Sequence, residues 1–489
     1  MNTTDRARLG ELPPDEPVRL TRRDVLTHCT HGVGLLGLAA AMGPEALAAA
    51  DGSGPLALKA PHFPARAKRV IHLWMNGGPS QVDTFDPKPA LAKYAGQRPE
   101  QTKKLTTERK TGGFLPSPFA FARHGRCGME ISELFPHLAR HADDLCVIRS
   151  MHTNTPVHEA SNWLMFTGNV QPIRPSYGSW LLYGLGSMND NLPGFVVLGE
   201  GTPVNGPSNW SSRFLPGIYQ GCQVLLPKAG AYDPRAVLAN LTDPRGDAAG
   251  QRRQLDYVQR LNARHGERVG PLNPLESRIE SLELAYRMQS AASEAFDIGL
   301  EPAAMQSLYG TDQNDAESRE NVFARNCLLA RRLVERGVRV VQIYYGHMQP
   351  WDTHGNNSKK HKELCKAVDQ PIAALLADLK ARGLLDDTLV VWGGEFGRTP
   401  VSEGQDGRDH NHYGFTVWLA GGGVRGGLVY GATDEFGFAA VENRVHVHDL
   451  HATMLHLMGL DHERLTYRYS GRDYRLTDVH GRVVKDIFT

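Results

Sequence analysis

Short apolar, β-branched runs alternate with longer amphipathic stretches along most of the chain. Residues 338–345 (VRVVQIYY) and 388–392 (TLVVW) read as buried strands. Between them, Leu364, Val368, Ile372, Leu375, Leu376 and Leu379 recur at helical spacing over residues 361–382. Pro371 falls inside that run, which predicts a kink there or the start of a second helix. Strand, helix, strand at this spacing predicts parallel strands joined by a right-handed crossover. The polar residues after each strand then emerge at the carboxyl ends of neighbouring strands, the edge where open α/β sheets carry their sites.

The same patterns extend over the rest of the chain. Residues 69–75 (RVIHLWM), 145–149, 195–198, 414–420 and 428–430 predict further strands. Helices are expected over 131–141, 175–185, 252–264, 274–290, 317–336 and 447–457, and from Glu159 to Thr167 before Gly168. Residues 87–128 and 301–314 read as loop, and 199–250 as an extended glycine- and proline-rich segment. Residues of about 199–315 together are expected to be an insertion. The tail, 467–484, alternates apolar and polar residues around Ser470-Gly471 and His480-Gly481, which predicts antiparallel hairpins. No internal repeat or low-complexity segment is present.

At 489 residues the chain suits one large α/β domain with insertions, or two domains. Its 54 basic and 53 acidic residues nearly cancel, and no basic patch is interleaved with aromatics, so nucleic acid is not expected as a partner. Six cysteines, none in a CxxC pair, argue against a disulfide scaffold or a cysteine zinc site. The first residues change the picture more. Arg22-Arg23 precede a weakly apolar run, 32–42, and small-x-small cleavage sites ending near Ala50. This predicts a twin-arginine signal peptide over 1–50, a mature domain over 51–489, and a periplasmic or secreted location. Cys29 would leave with the peptide, so five cysteines would remain. No later stretch predicts a transmembrane span.

The candidate chemistry lies in three polar clusters. Trp351-Asp352-Thr353-His354-Gly355 follows one strand, and residues 392–412 (WGGEFGRTPVSEGQDGRDHNH) follow the next in a glycine-broken loop. Asp352, His354, Glu395, His410 and His412 are oxygen and imidazole donors of the kind that hold Zn²⁺ or Mn²⁺, or Ca²⁺ with more carboxylate and water. Asp409 is a candidate for orienting a histidine, and Arg398 for clamping an anion with its planar fork. Asn76-Gly77-Gly78-Pro79-Ser80 follows the 69–75 strand, where glycines allow close approach to a ligand, so Asn76 and Ser80 are candidate substrate contacts. His158, before a helix, could serve as metal ligand, general acid or base, or covalent nucleophile. GxSxG, phosphate-loop and GxGxxG patterns are missing, which leaves those chemistries without support.

Taken together, Met75-Asn76-Gly77-Gly78-Pro79-Ser80, Asp83-Thr84-Phe85-Asp86, Trp351 to Gly355, Glu395-Phe396-Gly397-Arg398-Thr399-Pro400, Gly407-Arg408-Asp409-His410 and Gly431-Ala432-Thr433-Asp434 resemble the exported bacterial family known as domain of unknown function 1501. That family is similar to the alkaline phosphatase and sulfatase superfamily. The resemblance implies a mixed, mostly parallel sheet with helices on both faces, and metal-assisted hydrolysis of phosphate or sulfate esters, including those of anionic glycans. In the superfamily signature a cysteine or serine nucleophile stands nine residues before a Thr-Gly pair. Counting back from Thr167-Gly168 reaches His158. Asn76 and Glu395 likewise stand where the superfamily has aspartates. These departures keep a second expectation open: a non-catalytic envelope protein of the same fold that binds a metal, a glycan or a partner protein.

Overall fold

The fold is built on a nine-stranded mixed sheet. A computed structural model describes residues 54–98, 107–225, 248–269, 273–312 and 319–489. The expected signal peptide lies outside them. From one edge the strands run Leu428–Tyr430, Leu145–His152, Phe415–Ala420, Thr388–Gly393, Arg69–Trp74, Val340–Tyr344, Phe195–Gly199 and Cys222–Leu225; Val445–His446 also pairs with Leu145–His152. Only Phe415–Ala420 runs against its neighbours. The strands at 340–344 and 388–393 are parallel, as expected. They are not neighbours, however, because Arg69–Trp74 lies between them.

Alternation along that central strand divides the core. Ile71 and Leu73 join one apolar cluster with Leu328, Val368, Ile372 and Leu376 from helices Arg319–Glu335 and Asn357–Ala381. Val70 and Trp74 join another with Leu164, Phe166, Trp180 and Leu450 from helices His158–Thr167, Tyr177–Leu185 and Val447–Leu457. Successive strand residues point to opposite faces, so a strand buried on both reads as one continuous apolar run. Burying each of these large side chains contributes roughly 1.5–3 kcal/mol.

Several expectations need correction. Asn357–Ala381 is one helix that carries Pro371 within it, with no second helix starting there. Residues 131–141 do not form an α-helix. They complete a hairpin, Phe121–His124 with Met129–Ser132, and continue into a 3-10 turn over Leu138–Asp144. The first strand of that hairpin and a short helix, Pro89–Lys93, lie in the stretch 87–128 read as loop, and a helix, Ala303–Tyr309, lies in the other, 301–314. Within the expected insertion, Cys222–Leu225 supplies an edge strand of the main sheet. The tail forms one short hairpin, Tyr467–Tyr469 with Arg472–Tyr474, turning through Ser470 (φ 47°) and Gly471 (φ 82°). Paired left-handed residues of this kind match the twist of the flanking strands. Among the described residues, no helix is long and apolar enough to cross a membrane.

Candidate metal centre

Four parallel strands deliver the site to one edge. Arg69–Trp74 leads into Asn76-Gly77-Gly78, Leu145–His152 into His158, Val340–Tyr344 into the loop bearing Asp352 and His354, and Thr388–Gly393 into Glu395. The glycine-broken stretch beyond Glu395 is a β-hairpin rather than a loop. Gly397–Glu403 pairs with Gly407–Asn411, His410 faces Arg398, and an irregularity between Arg408 and His410 releases Asp409 from the ladder. The Asp409 amide donates instead to Thr399 Oγ1 at 3.0 Å.

Asp352 Oδ1 is the focus. His354 Nε2 lies 3.1 Å from it, His410 Nε2 3.2 Å and His158 Nε2 3.5 Å, with the Arg398 guanidinium at 2.7 Å. Each imidazole is anchored through its other nitrogen. His158 Nδ1 lies 2.6 Å from Glu395 Oε1, His354 Nδ1 2.5 Å from Glu403 Oε2, and His410 Nδ1 2.7 Å from the Pro156 carbonyl and 2.5 Å from Glu108 Oε2. Carbonyls and carboxylates accept, so each Nδ1 donates, and whenever a ring is neutral its Nε2 lone pair turns inward. His158 Nε2 is buried and makes no hydrogen bond. Two sets, His158 with Asp352 and His410, and His354 with Asp409 and His410, bring ligand atoms within 4.8 Å of one another and could hold a metal ion.

The charges are tightly linked. Burial alone would raise the Asp352 pKa, but the imidazoles of His158, His354 and His410 around it, with Arg398 beside them, hold it well below the carboxylate range. Burial opposes charge on His158 and on His354; in both, the neighbouring carboxylates of Asp352 and of Glu395 or Glu403 prevail and raise the pKa. For His410 burial outweighs the hydrogen bond to Asp352 and, with Arg398 and His158 nearby, lowers the pKa.

The glycine turn builds the floor. Gly77 N donates to both Glu395 oxygens, at 2.9 and 3.2 Å. A Cβ on Gly77 would stand 2.5 Å from the Asp352 amide nitrogen, and its φ of +107° already demands glycine. Arg398 is fully buried and spends its other donors on the carbonyls of Gly77, Gly78 and Arg408. This guanidinium holds Asp352 and the turn in place and is not presented to solvent.

The other expected residues fall differently. Asn76 is buried, with Nδ2 3.4 Å from the Gly346 carbonyl, and its own carbonyl accepts from Trp351 N. Ser80 is buried, and its amide donates to His361 Nε2 at 2.9 Å. His412 packs its ring on Tyr413, 3.9 Å between centroids, and takes no part in either converging set. Four participants were given no role in the sequence reading: Glu403, Glu108, and the buried Asp83–Arg408 pair at 2.8 Å beneath the hairpin, whose residues were quoted only within motifs. For Glu403 a signal existed, since EGQDG between two short runs is hairpin-turn composition.

Comparison with known proteins adds the following. Among curated proteins, none matches the chain. Solved structures with similar topology include the PsFucS1 sulfatase from Pseudoalteromonas sp. (13% identity, 81% of this chain and 68% of that one, TM-score 0.33). Others are a protein in the alkaline phosphatase superfamily from Vibrio parahaemolyticus (10%, 88% and 75%, TM-score 0.35) and the phosphonate monoester hydrolase SpPMH from Silicibacter pomeroyi (15%, 72% and 71%, TM-score 0.32). The profile of the family described as "Protein of unknown function (DUF1501)" matches residues 67–488, and the chain belongs to that family.

Proposed function

We propose that this is an exported, metal-dependent hydrolase of phosphate or sulfate esters, anionic glycans among them. The observation that carries the metal is the convergence of three Nε2 atoms on Asp352 Oδ1 with every Nδ1 already committed. Three imidazoles and a carboxylate suit Zn²⁺ or Mn²⁺ better than Ca²⁺, which prefers oxygen. His158, His354, His410 and Asp352 would hold the ion, and Glu395, Glu403 and the Pro156 carbonyl would fix the rings. Such an ion would polarise an ester oxygen and lower the pKa of a bound water. With its Nε2 turned to the shared focus, His158 is assigned to the ligand set rather than to covalent attack, which leaves water as the attacking group. The ester class rests on the sequence resemblance, and export on the Arg22-Arg23 segment.

The test is metal content of the purified chain, wild type beside Asp352→Ala, with phosphate and sulfate ester panels on the same samples. Stoichiometric metal in the wild type alone, with turnover that follows it, supports the reading. A wild type that takes up no Zn²⁺, Mn²⁺ or Ca²⁺ on reconstitution refutes it. Export is tested separately by fractionating cells that carry Arg22→Lys with Arg23→Lys; unchanged localisation would refute that part.

One observation favours the second reading, a protein that holds metal without turnover. Arg398, the cation nearest the focus, is fully buried and engaged, so it offers no open fork to an ester anion. Bound metal with no hydrolysis across both ester panels would decide for it.

A further inference from the structure

A second polar cavity, of about 350 Å³, is lined by Asn154, His446, His448, Asp449, His480 and Gly481. Its walls come from the start of helix Val447–Leu457, from the segment between strand Leu145–His152 and His158, and from the tail. It shares no lining residue with the metal centre.

The imidazoles here are not arranged like those of the metal centre. His446 Nδ1 accepts from His448 N at 3.1 Å, so Nε2 carries the proton and donates to Asn154 Oδ1 at 2.7 Å. With that oxygen engaged, the Asn154 amide nitrogen remains as a donor. His448 is 95% buried by its 5% exposure, and its Nδ1 is buried without a hydrogen bond. A buried ring nitrogen left unpaired is unfavourable. The His480 ring lies parallel to that of His448, with centroids 5.0 Å apart, and is exposed to solvent. No metal-holding set is found here among the described residues.

The surrounding charge selects the ligand. Arg444 acts on His152 and His446, Arg174 acts on His448, and all three histidines are pushed towards the neutral form, chiefly by burial. Arg482 stands beside Gly481. Asp449 is the acid in the lining, and both its oxygens already accept backbone N–H groups, from His446 at 3.0 Å and Arg482 at 2.7 Å.

We propose that this cavity is an oxyanion-binding site, which takes a sulfate-, phosphate- or carboxylate-bearing group on Asn154, His448 and His480, with the exposed Arg482, which follows the lining Gly481 and donates to the Arg444 carbonyl at 3.4 Å, as the adjoining cation. This holds whether or not the metal centre is hydrolytic.

The experiment is calorimetric titration of sodium sulfate, phosphate and acetate into the chelator-treated full chain. Wild type is compared with His480→Ala, Arg482→Ala and Asp352→Ala. The first two substitutions are on exposed side chains, and the Arg482 backbone bond to Asp449 survives its change. Saturable binding of at least one of these anions, weakened about tenfold or more in His480→Ala and Arg482→Ala but not in Asp352→Ala, is expected. Three results would overturn the proposal: no saturable binding of any of the three anions, binding indifferent to His480 and Arg482, or binding lost with Asp352. The last would place the anion at the metal centre.

Discussion

The Nε2 atoms of His354 and His410 face each other at 3.0 Å, while the Nδ1 of each is committed to an acceptor. Two neutral imidazoles so held would oppose lone pair to lone pair. Something positive must sit between them, a proton or a cation. Metal uptake should therefore compete with protons and weaken as pH falls. Zn²⁺ at about a hundredfold excess over its Kd should stabilise the wild type by about 2.7 kcal/mol. The melting temperature of Asp352→Ala should not respond. A rise in that variant equal to the wild type's would move the ion elsewhere.

Glu395 reaches the focus only through His158, so it is a positioning residue. Glu395→Gln keeps an oxygen to accept from Gly77 N and from His158 Nδ1 but removes the charge behind the ring. Metal affinity should fall roughly tenfold to a hundredfold, with melting in the absence of metal nearly unchanged. If affinity is untouched while stability collapses, Glu395 serves the fold alone.

Gly77→Ala tests the floor of the site. The new methyl would press on the Asp352 backbone at a positive φ, a strain of about 1–3 kcal/mol. Both stability and metal affinity should drop, as read by denaturant unfolding and metal titration. Loss of stability without loss of affinity would separate the turn from the site.

How far the site could be read from the sequence follows from which interactions are local. Strands such as Val340–Tyr344 and Thr388–Gly393 were visible because burial on both faces writes an apolar run into the chain. Asp352, His354, Glu395 and His410 were visible because they follow those strands. The Gly397–Glu403 and Gly407–Asn411 hairpin was not. Its buried residues include Arg398, Arg408, Asp409 and His410, and the carboxylates that neutralise the two arginines, Asp352 and Asp83, lie far away in the sequence. Residues 131–141 misled in the opposite direction: Ile131, Leu134, Phe135 and Leu138 keep helical spacing and are buried, yet Pro136 follows a strand end and tertiary packing sets the backbone.

The Asp83–Arg408 pair is the clearest stability test. Both side chains are fully buried, Arg408 also donates to the carbonyls of Thr399 and Leu115, and Asn357 Nδ2 donates to Asp83 at 2.9 Å. Arg408→Met leaves the carboxylate buried without its cation, at a cost of about 3–5 kcal/mol. Adding Asp83→Asn should restore part of that. Denaturant unfolding of the two variants reads the difference. A double variant no better than the single would mean that the charge is not the source of the loss.

Acid sensitivity should come from histidines outside the metal centre. Burial is the main cause that takes His72 and His448 down to about 3, and His152, His361 and His451 to about 4. Their unfolded value is 6.5. Between those limits the unfolded chain binds more protons than the folded one, so stability is full above pH 6.5 and declines as pH falls towards 4. Each such group contributes a slope of up to about 1.4 kcal/mol per pH unit. His158 and His354, with raised values, act in the opposite sense and favour the folded chain at low pH. They are outnumbered by the five, to which His410, His412 and His446, also lowered chiefly by burial, add in the same direction. The denaturant midpoint of chelator-treated protein should therefore fall steadily from pH 7 to pH 5, and Asp352→Ala, which removes the partner that raises His158 and His354, should steepen the fall. A flat profile would mean that these buried rings are already protonated in the folded chain.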